Sequence, residues 1–213
     1  MVERVKKKNK REQFLKVAVK LFSENGYSNV RLQQVADHSN CAYSLVYYYF
    51  KSKSDLFIAA VAYSVEQTIS HYKQLADKYD CPIDLIGHWF EVNIVDSENL
   101  KFFVKIMMEY SPRRHEAQAL AQSIDRFYEF ETKILSNSIK KGTDRKLFVC
   151  RNPEELAEFI SCHIDGIYYR ACTRPGYDIS GSIWSLQKEL WSILGLQKDS
   201  DLLQMWSSEK ELT

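Results

Sequence analysis

Glycine and proline are scarce in this sequence, with 7 glycines and 4 prolines among 213 residues. Their combined share is about 5%, whereas soluble proteins average near 12%. Because these two residues form most of the tight turns between strands, a sheet of many short strands is disfavoured. The length allows roughly 70% of the unfolded surface to be buried, so the core needs no disulfide or metal to hold it. We predict an all-α fold.

Cysteine pairs and long apolar runs are also missing. The five cysteines are an odd number and are widely scattered, with no Cys-x-x-Cys among them. This pattern excludes a disulfide framework and a zinc finger, and we expect neither metal nor cofactor. The longest apolar run, 56–63, is far shorter than the roughly 20 residues of a membrane helix, and no signal-peptide core follows the basic start. We expect a cytoplasmic protein without a membrane partner.

Positive charge is concentrated at the front of the chain. Residues 1–60 hold 11 basic and 5 acidic side chains, against 18 and 23 in the remainder. A cationic head on an acidic body is typical of a protein whose first domain meets the phosphates of DNA. A solvated charge run at a chain start is the alternative interpretation for residues 3–11.

Apolar periodicity predicts helices along the whole chain. One amphipathic helix covers 12–25 and ends at Gly26. Two short helices, 32–38 and 42–49, follow around a turn in which Asn40 takes a positive φ, the pattern of a helix-turn-helix. A long helix starts at Ser52 and reaches about residue 79. Further helices are predicted over 83–95, 98–110, 115–141, 153–173 and 179–194.

Three segments, 14–27, 35–36 and 45–56, together resemble the amino-terminal domain of the TetR (tetracycline-repressor) family of bacterial regulators. They combine a first helix that ends in Asn-Gly-Tyr, the aromatic end of the second short helix, and Phe-Lys-Ser-Lys before the long helix. The resemblance implies a helix-turn-helix DNA-binding domain over 1–52 and a helical effector-binding and dimerisation domain over 53–213.

The sequence departs from the family pattern where bases are read. Val30-Arg31 stands where the family usually has Thr followed by Ser or Thr, Asn40 where it has Gly, and Ala42 where it has Ser. Ser44 replaces a frequent Gly. The resemblance therefore does not identify the DNA target.

The resemblance places the DNA contacts on and around the second short helix. Tyr43, Ser44 and Tyr48 are expected to read bases and Leu45 to pack on a thymine methyl, while Tyr47 and Lys53 match phosphate-contact positions. Arg31 and Gln33 are lesser candidates, and the tail from Lys6 to Arg11 is expected to add salt-dependent affinity. Core packing is the alternative for the tyrosines, and we assign it to Tyr49 and Phe50.

The second domain is expected to bind a small effector among bulky side chains of its middle helices. The candidates are Ile69, Tyr72, Trp89, Phe90, Phe103, Met107, Tyr110, Phe127, Tyr128 and His163. A carboxylate among these rings would favour a cationic ligand, and Glu91 and Glu109 are candidates for it whose burial the sequence leaves open. The last two helices are expected to form the homodimer interface, through Phe159, Gly166, Ile167, Trp184 and Trp191.

The function predicted from the resemblance is a dimeric, ligand-responsive regulator, a repressor in the family's commoner mode. It would bind a palindromic operator and leave it when an apolar or aromatic effector tilts the long helix. The sequence contains no Gly-x-Ser-x-Gly, P-loop, His-Glu-x-x-His or Gly-x-Gly-x-x-Gly motif, and we predict no catalytic residues. The alternatives are a redox-responsive regulator using Cys41, a ligand-independent regulator, and a helical interaction module without an operator.

Overall fold

The described part of the chain is helical throughout. The computed structural model describes residues 2–110 and 118–196, without the side chains of 2–8, 107, 109 and 110. Within these ranges there are nine helices and no strand, which confirms the all-α prediction. They are α1 (Val2–Asn29), α2 (Leu32–His38), α3 (Tyr43–Tyr49), α4 (Lys53–Lys78), α5 (Pro82–Val95), α6 (Ser97–Tyr110), α7 (Gln118–Asp144), α8 (Pro153–Thr173) and α9 (Ile179–Ile193).

Most helix ends lie within a few residues of the predicted ones, but α1 begins at Val2 and not at residue 12, and two predicted helix ends also differ. Gly26 has φ 75° and ψ 165°, so the positive φ predicted there is present, but helical residues resume and α1 ends at Asn29. Helix α7 was predicted to end before Gly142 and instead continues to Asp144. Its predicted start, 115–117, lies outside the described residues. A glycine ends a helix only where no packing opposes fraying. At Gly142 the ring of Phe148 covers the backbone, and α7 continues past it.

The first compact unit contains residues up to Thr68 together with 97–127. All five apolar residues predicted for the inner face of the first helix are buried in its core: Phe14, Leu15, Ala18, Leu21 and Phe22. Phe57 of α4 packs edge-on against Phe22, with ring centroids 5.0 Å apart. Phe102 and Ile106 of α6 complete the same core. Burial of these rings supplies the main stabilisation of a helix-turn-helix too small to have its own core.

The second compact unit contains 69–96 and the described residues from Tyr128 onward. Its interior is formed by α5, α8, α9 and the later parts of α4 and α7, and it includes Trp89, Phe90, Leu135, Ile160 and Ile183. By packing, the boundary between the units therefore falls inside α4 at residue 68, later than the predicted domain boundary after residue 52. No helix in the described ranges combines the length and apolarity needed to cross a membrane.

Gly142 allows the ring of Phe148 to lie against the α7 backbone. A Cβ atom added to Gly142 would be 2.0 Å from Cζ of Phe148, whose side chain is buried. We expect Gly142→Ala to lower the free energy of unfolding by about 1–3 kcal/mol, because a buried ring must move. In a Phe148→Ala background the same change should stabilise, since alanine favours helix over glycine. Urea unfolding of the parent, the two single variants and the double variant measures these free energies. An equal destabilisation by Gly142→Ala in both backgrounds would contradict the prediction.

Candidate DNA interface and effector site

The turn between α2 and α3 is held from both sides. Asn40 has φ 50°, as predicted from the sequence. The carbonyl oxygen of Ser39 accepts hydrogen bonds from Gln13 Nε2 of α1 at 3.2 Å and from Cys41 Sγ at 3.1 Å. Asparagine tolerates this backbone conformation better than most residues, so it can stand where glycine is usual. These contacts set the orientation of α3 against α1.

Helix α2 begins without a hydroxyl cap. The backbone N–H of Arg31 donates to Gln34 Oε1 at 2.7 Å, which satisfies one group at this helix start. The side chains of Arg31 and Gln33 are exposed, and Gln33 donates to Asp37 at 2.7 Å. Arg31 therefore points its charge outward, whereas Gln33 is held by its neighbour on the same helix.

Helix α3 presents its tyrosines outward. Tyr43, Tyr47 and Tyr48 are 44%, 46% and 55% exposed, whereas Val46 and Phe50 are buried. Tyr49 is half-buried and packs edge-on to Phe14. Ser44 is exposed and Leu45 lies half-buried against the core. The expected division, with Tyr47 and Tyr48 outside and Tyr49 and Phe50 inside, is therefore present in the fold.

A lysine that the sequence analysis did not single out adjoins these tyrosines. Lys51 follows α3 and is exposed, with Nζ 5.1 Å from the ring centroid of Tyr47 and 5.8 Å from that of Tyr48. The rings of Tyr43 and Tyr47 stack at 6.1 Å. A cation directly after a helix that carries exposed rings is the signal that could have identified it. The surface of Tyr43, Tyr47, Tyr48 and Lys51 is called the tyrosine face below.

Lys53 has structural partners. Its Nζ donates to the carbonyl oxygens of Tyr27 and Ser28, at 2.9 and 3.0 Å, and lies 4.5 Å from the centre of the Tyr27 ring. The ammonium group thus caps the carbonyl end of α1 from the first residue of α4. Ser52 Oγ accepts from the N–H of Asp55 at 3.0 Å, the predicted cap of that helix.

The basic tail is described in part. The side chains of Lys6, Lys7 and Lys8 lie outside the described residues. Arg11 places its guanidinium 5.4 Å from the centre of the Phe50 ring, and Lys10 donates to Gln13 at 3.0 Å. Arg11 therefore joins the start of the chain to the residue that ends α3.

The family model described as bacterial regulatory proteins, tetR family, matches residues 14–60. That range contains α2, α3, the turn between them and the start of α4. This amino-terminal domain is a TetR-family domain. The family consists of transcriptional regulators and not of enzymes, in agreement with the absence of catalytic motifs.

Relatives of known sequence match about a third of the chain. An HTH-type transcriptional regulator of Staphylococcus aureus strain USA300 is 32% identical over 72 residues, which are 34% of this chain and 39% of that protein. The match therefore spans about two-fifths of the relative's length.

Solved structures share the fold over most of the chain. A TetR transcription regulator from Haloarcula marismortui has a TM-score of 0.73 at 17% identity, covering 88% of this chain and 97% of that one. A transcriptional regulator from Saccharomonospora viridis, solved in complex with choline, has a TM-score of 0.69 at 19% identity, covering 84% and 93%. At these identities the similarity concerns the fold alone.

The predicted effector residues separate into different places. Ile69, Tyr72, Trp89 and Phe90 are buried together in the second unit. Phe103 and Phe127 pack on each other in the first unit, with centroids 4.6 Å apart. Tyr128 is half-buried, and His163 is exposed beside Phe159. The side chains of Met107 and Tyr110 lie outside the described residues.

A buried carboxylate lies beside this group in the second unit. Glu131 of α7 is 2% exposed. Its Oε1 accepts from the Tyr72 hydroxyl of α4 at 3.3 Å, and its Oε2 accepts from the Ser161 hydroxyl of α8. The Tyr72 hydroxyl also lies 3.4 Å from Asn93 Oδ1 of α5, and the Tyr168 hydroxyl donates to the Asn93 carbonyl. Polar groups of four helices thus meet in one network.

Burial shifts the acids of this region. Loss of hydration raises the pKa of Glu131 to about 8, although the hydroxyls of Ser161 and Tyr72 oppose the shift. Burial likewise raises the pKa of Asp165 to about 6, against a hydrogen bond of 2.5 Å from Tyr128. Near neutral pH, Glu131 therefore holds a proton in the folded chain.

Glu131 was not among the acidic candidates of the sequence analysis. Glu91 is paired with His88 at 2.6 Å near the surface, and the Glu109 side chain lies outside the described residues. Helical spacing is the sequence signal that could have identified Glu131 as buried. It follows Phe127 by four residues and precedes Leu135 by four, so it lies on the inner face of α7.

The predicted dimer residues also differ in exposure. Phe159 and Gly166 are exposed on α8, and a Cβ at Gly166 would meet nothing within 4 Å. Ile167 and Trp191 are buried inside the second unit, and Trp184 is half-buried. Phe159 and Gly166 are thus the two of the set that a partner can reach most directly.

Replacing Glu131 should change how stability depends on pH. Its pKa lies above the ordinary value of 4.5, so between pH 4.5 and 8 the unfolded chain has lost a proton that the folded chain keeps. The free energy of unfolding then falls as pH rises through this window, on the order of 1 kcal/mol per pH unit. Glu131→Gln should remove that part of the fall, while Glu129→Gln, exposed on the same helix, should keep it. Urea unfolding of the parent and of both variants at pH 5 and 8 measures the free energy of unfolding. The same pH dependence in the parent and in Glu131→Gln would contradict the prediction.

Proposed function

We propose that the chain is a dimeric transcriptional regulator that binds a palindromic operator through α3 and is released when a small effector binds in the second unit. The observation that carries this proposal is the tyrosine face. Three large rings stay exposed on a seven-residue helix whose opposite side is buried. Large exposed rings in one patch mark an interaction surface.

The chemistry of the tyrosine face suits duplex DNA. In a helix-turn-helix the second helix enters the major groove, with its first residues at base edges. Tyr43 and Ser44, at the start of α3, are then the base-reading residues, with Tyr48 one turn further on. Tyr47 and Lys51 form a phosphate contact, in which the hydroxyl donates to an oxygen and the ammonium supplies charge. Lys53 supports this contact through its bonds to α1.

Dimerisation follows from the size of one such domain. A single helix-turn-helix buries too little surface for tight binding, and two copies read half-sites about 34 Å apart. The outer surfaces of α8 and α9 border a groove of about 760 Å³ whose apolar residues include Phe159, Leu186 and Ile193. We assign this face to a second copy of the chain, in a self-complementary contact.

The effector site is assigned to the buried group around Tyr72 and Trp89. Choline in the Saccharomonospora viridis structure shows that a relative in fold accepts a small molecule. Helix α4 belongs to the first unit up to Thr68 and to the second from Ile69. A ligand that displaces Tyr72 would act on the same helix whose first residue, Lys53, bonds to α1. Operator affinity then falls because the two copies of α3 no longer match the groove spacing.

Removal of the Tyr47 ring tests the DNA assignment. We expect Tyr47→Ala to weaken binding to an operator selected from random duplexes by about tenfold, since a phosphate contact and its neighbouring cation are lost. Tyr169→Ala is the matched control, because Tyr169 is exposed in the second unit. Fluorescence anisotropy with nonspecific competitor, at two salt concentrations, gives the affinities. Equal affinities of both variants and the parent would refute the assignment of α3, and failure of the parent to select any duplex would refute the function.

A charge placed in the α8 face tests the dimer. Phe159→Glu should convert the dimer to monomer, because it buries an unpaired carboxylate in an isologous contact, once from each copy. Val95→Glu, at an exposed apolar position at the end of α5, should leave the dimer intact. Sedimentation velocity measures the oligomeric state of each variant. A dimeric Phe159→Glu protein would place the interface elsewhere.

A further inference from the structure

Glu131 is a buried charge-bearing group without a counter-charge. Its two oxygens accept from hydroxyls of Tyr72 and Ser161, and no Lys, Arg or His side chain within 2–110 and 118–196 forms an ion pair with it. An ionised carboxylate in such a place is costly unless a cation joins it. A leucine of similar size would stabilise the same position at no such cost.

The rings around this carboxyl group include one polar atom without a partner. The ring of Trp89 lies 5.8 Å from that of Tyr72, and both side chains are fully buried. Trp89 Nε1 is buried without an acceptor in the described part of the chain. A carboxylate without a cation and an indole N–H without an acceptor thus belong to one group of side chains. Buried polar groups are normally paired, so the indole N–H indicates a missing acceptor, and the Glu131 carboxyl, hydrogen-bonded but without a counter-charge, indicates a missing cation.

We propose that the effector is a small organic ammonium ion, whose charge meets the Glu131 carboxylate and the faces of Tyr72 and Trp89. This inference rests on the proposed function, because it names the chemical class of ligand for the same site. The ring faces attract a cation electrostatically and add to the carboxylate's attraction. An oxygen on the ligand would accept from Trp89 Nε1. Anions are disfavoured, since Asp165 and Glu158 add negative charge nearby.

Binding of such an ion is coupled to proton release. Since burial raises the pKa of Glu131 to about 8, the carboxyl is protonated in the free protein at pH 7 and must ionise to receive the cation. The apparent affinity then rises with pH up to about 8 and levels off above it. The other titratable groups facing this region are Tyr72 of α4, His71 of α4 with its partner Asp96 at the end of α5, Tyr128 of α7, and Glu158, Cys162, Asp165 and Tyr168 of α8. Asp165, with a pKa of about 6, contributes only below pH 7.

The test compares ligands that differ only in charge. Tetramethylammonium, choline and benzyltrimethylammonium are titrated calorimetrically into the full-length protein, and choline is matched by its neutral analogue with carbon in place of nitrogen. These ions carry no titratable proton, so any pH dependence belongs to the protein. We expect at least one ion to bind, and the neutral analogue of choline to bind about tenfold or more weakly than choline where choline is that ion.

Two variants assign the effect to one side chain. Glu131→Gln keeps the size of the side chain and an acceptor for Ser161, and it should lose about tenfold or more in affinity together with the rise between pH 7 and 8. Glu129→Gln removes an exposed charge from the same helix and should bind as the parent does. Circular dichroism and thermal unfolding show that each variant is folded. An equal loss in both variants would indicate general electrostatics and overturn the assignment.

The outcomes separate this inference from the proposed function. It is overturned if none of the three ions binds the parent, if the neutral analogue matches choline, or if Glu131→Gln binds like the parent. Operator anisotropy on the same preparations tests the regulator independently. Operator binding without ammonium binding defeats the inference alone. Ammonium binding that needs Glu131, in a protein that selects no duplex, leaves the site intact and defeats the function.

Discussion

The hydrogen bonds accepted by the Glu131 carboxyl connect the helices of the second unit. Tyr72 of α4 and Ser161 of α8 donate to it, and Tyr72 and Tyr168 extend the network to Asn93 of α5. A network of this kind is worth more than its separate bonds in a dry interior, and it is costly when one member changes charge. One buried acid thus links the hydrogen bonds of four helices.

Helix α4 contributes residues to both compact units. Its residues up to Thr68 are counted with the first unit and those from Ile69 with the second. At its start, Lys53 bonds to the last carbonyls of α1, while nineteen residues later Tyr72 bonds to Glu131. A rigid helix transmits a displacement along its axis better than a loop does, so a ligand at one end can alter the other. The lysine that the family resemblance assigns to phosphate thus also anchors the helix in its own domain.

Local features of the DNA-binding domain were predictable because they depend on neighbours in sequence. The positive φ of Asn40 and the cap of Ser52 are such features, as is the division of the α3 aromatics between inside and outside. Contacts between distant residues were not predictable. Nothing in the sequence near Lys53 indicates that its ammonium reaches Tyr27 and Ser28. Phe103 and Phe127 lie in the first unit, although their aromatic side chains suited the predicted effector pocket.

The sequence alone determined the all-α class, the helix-turn-helix and the outward tyrosines of α3, because helical periodicity and capping act within a few residues. Only the tertiary structure decided which acid is buried. Glu91, Asp125 and Glu131 are all acidic residues within helices, yet only Glu131 of these three is enclosed. Whether a carboxylate is desolvated depends on which other helices cover it, and that is a property of packing between residues far apart in sequence.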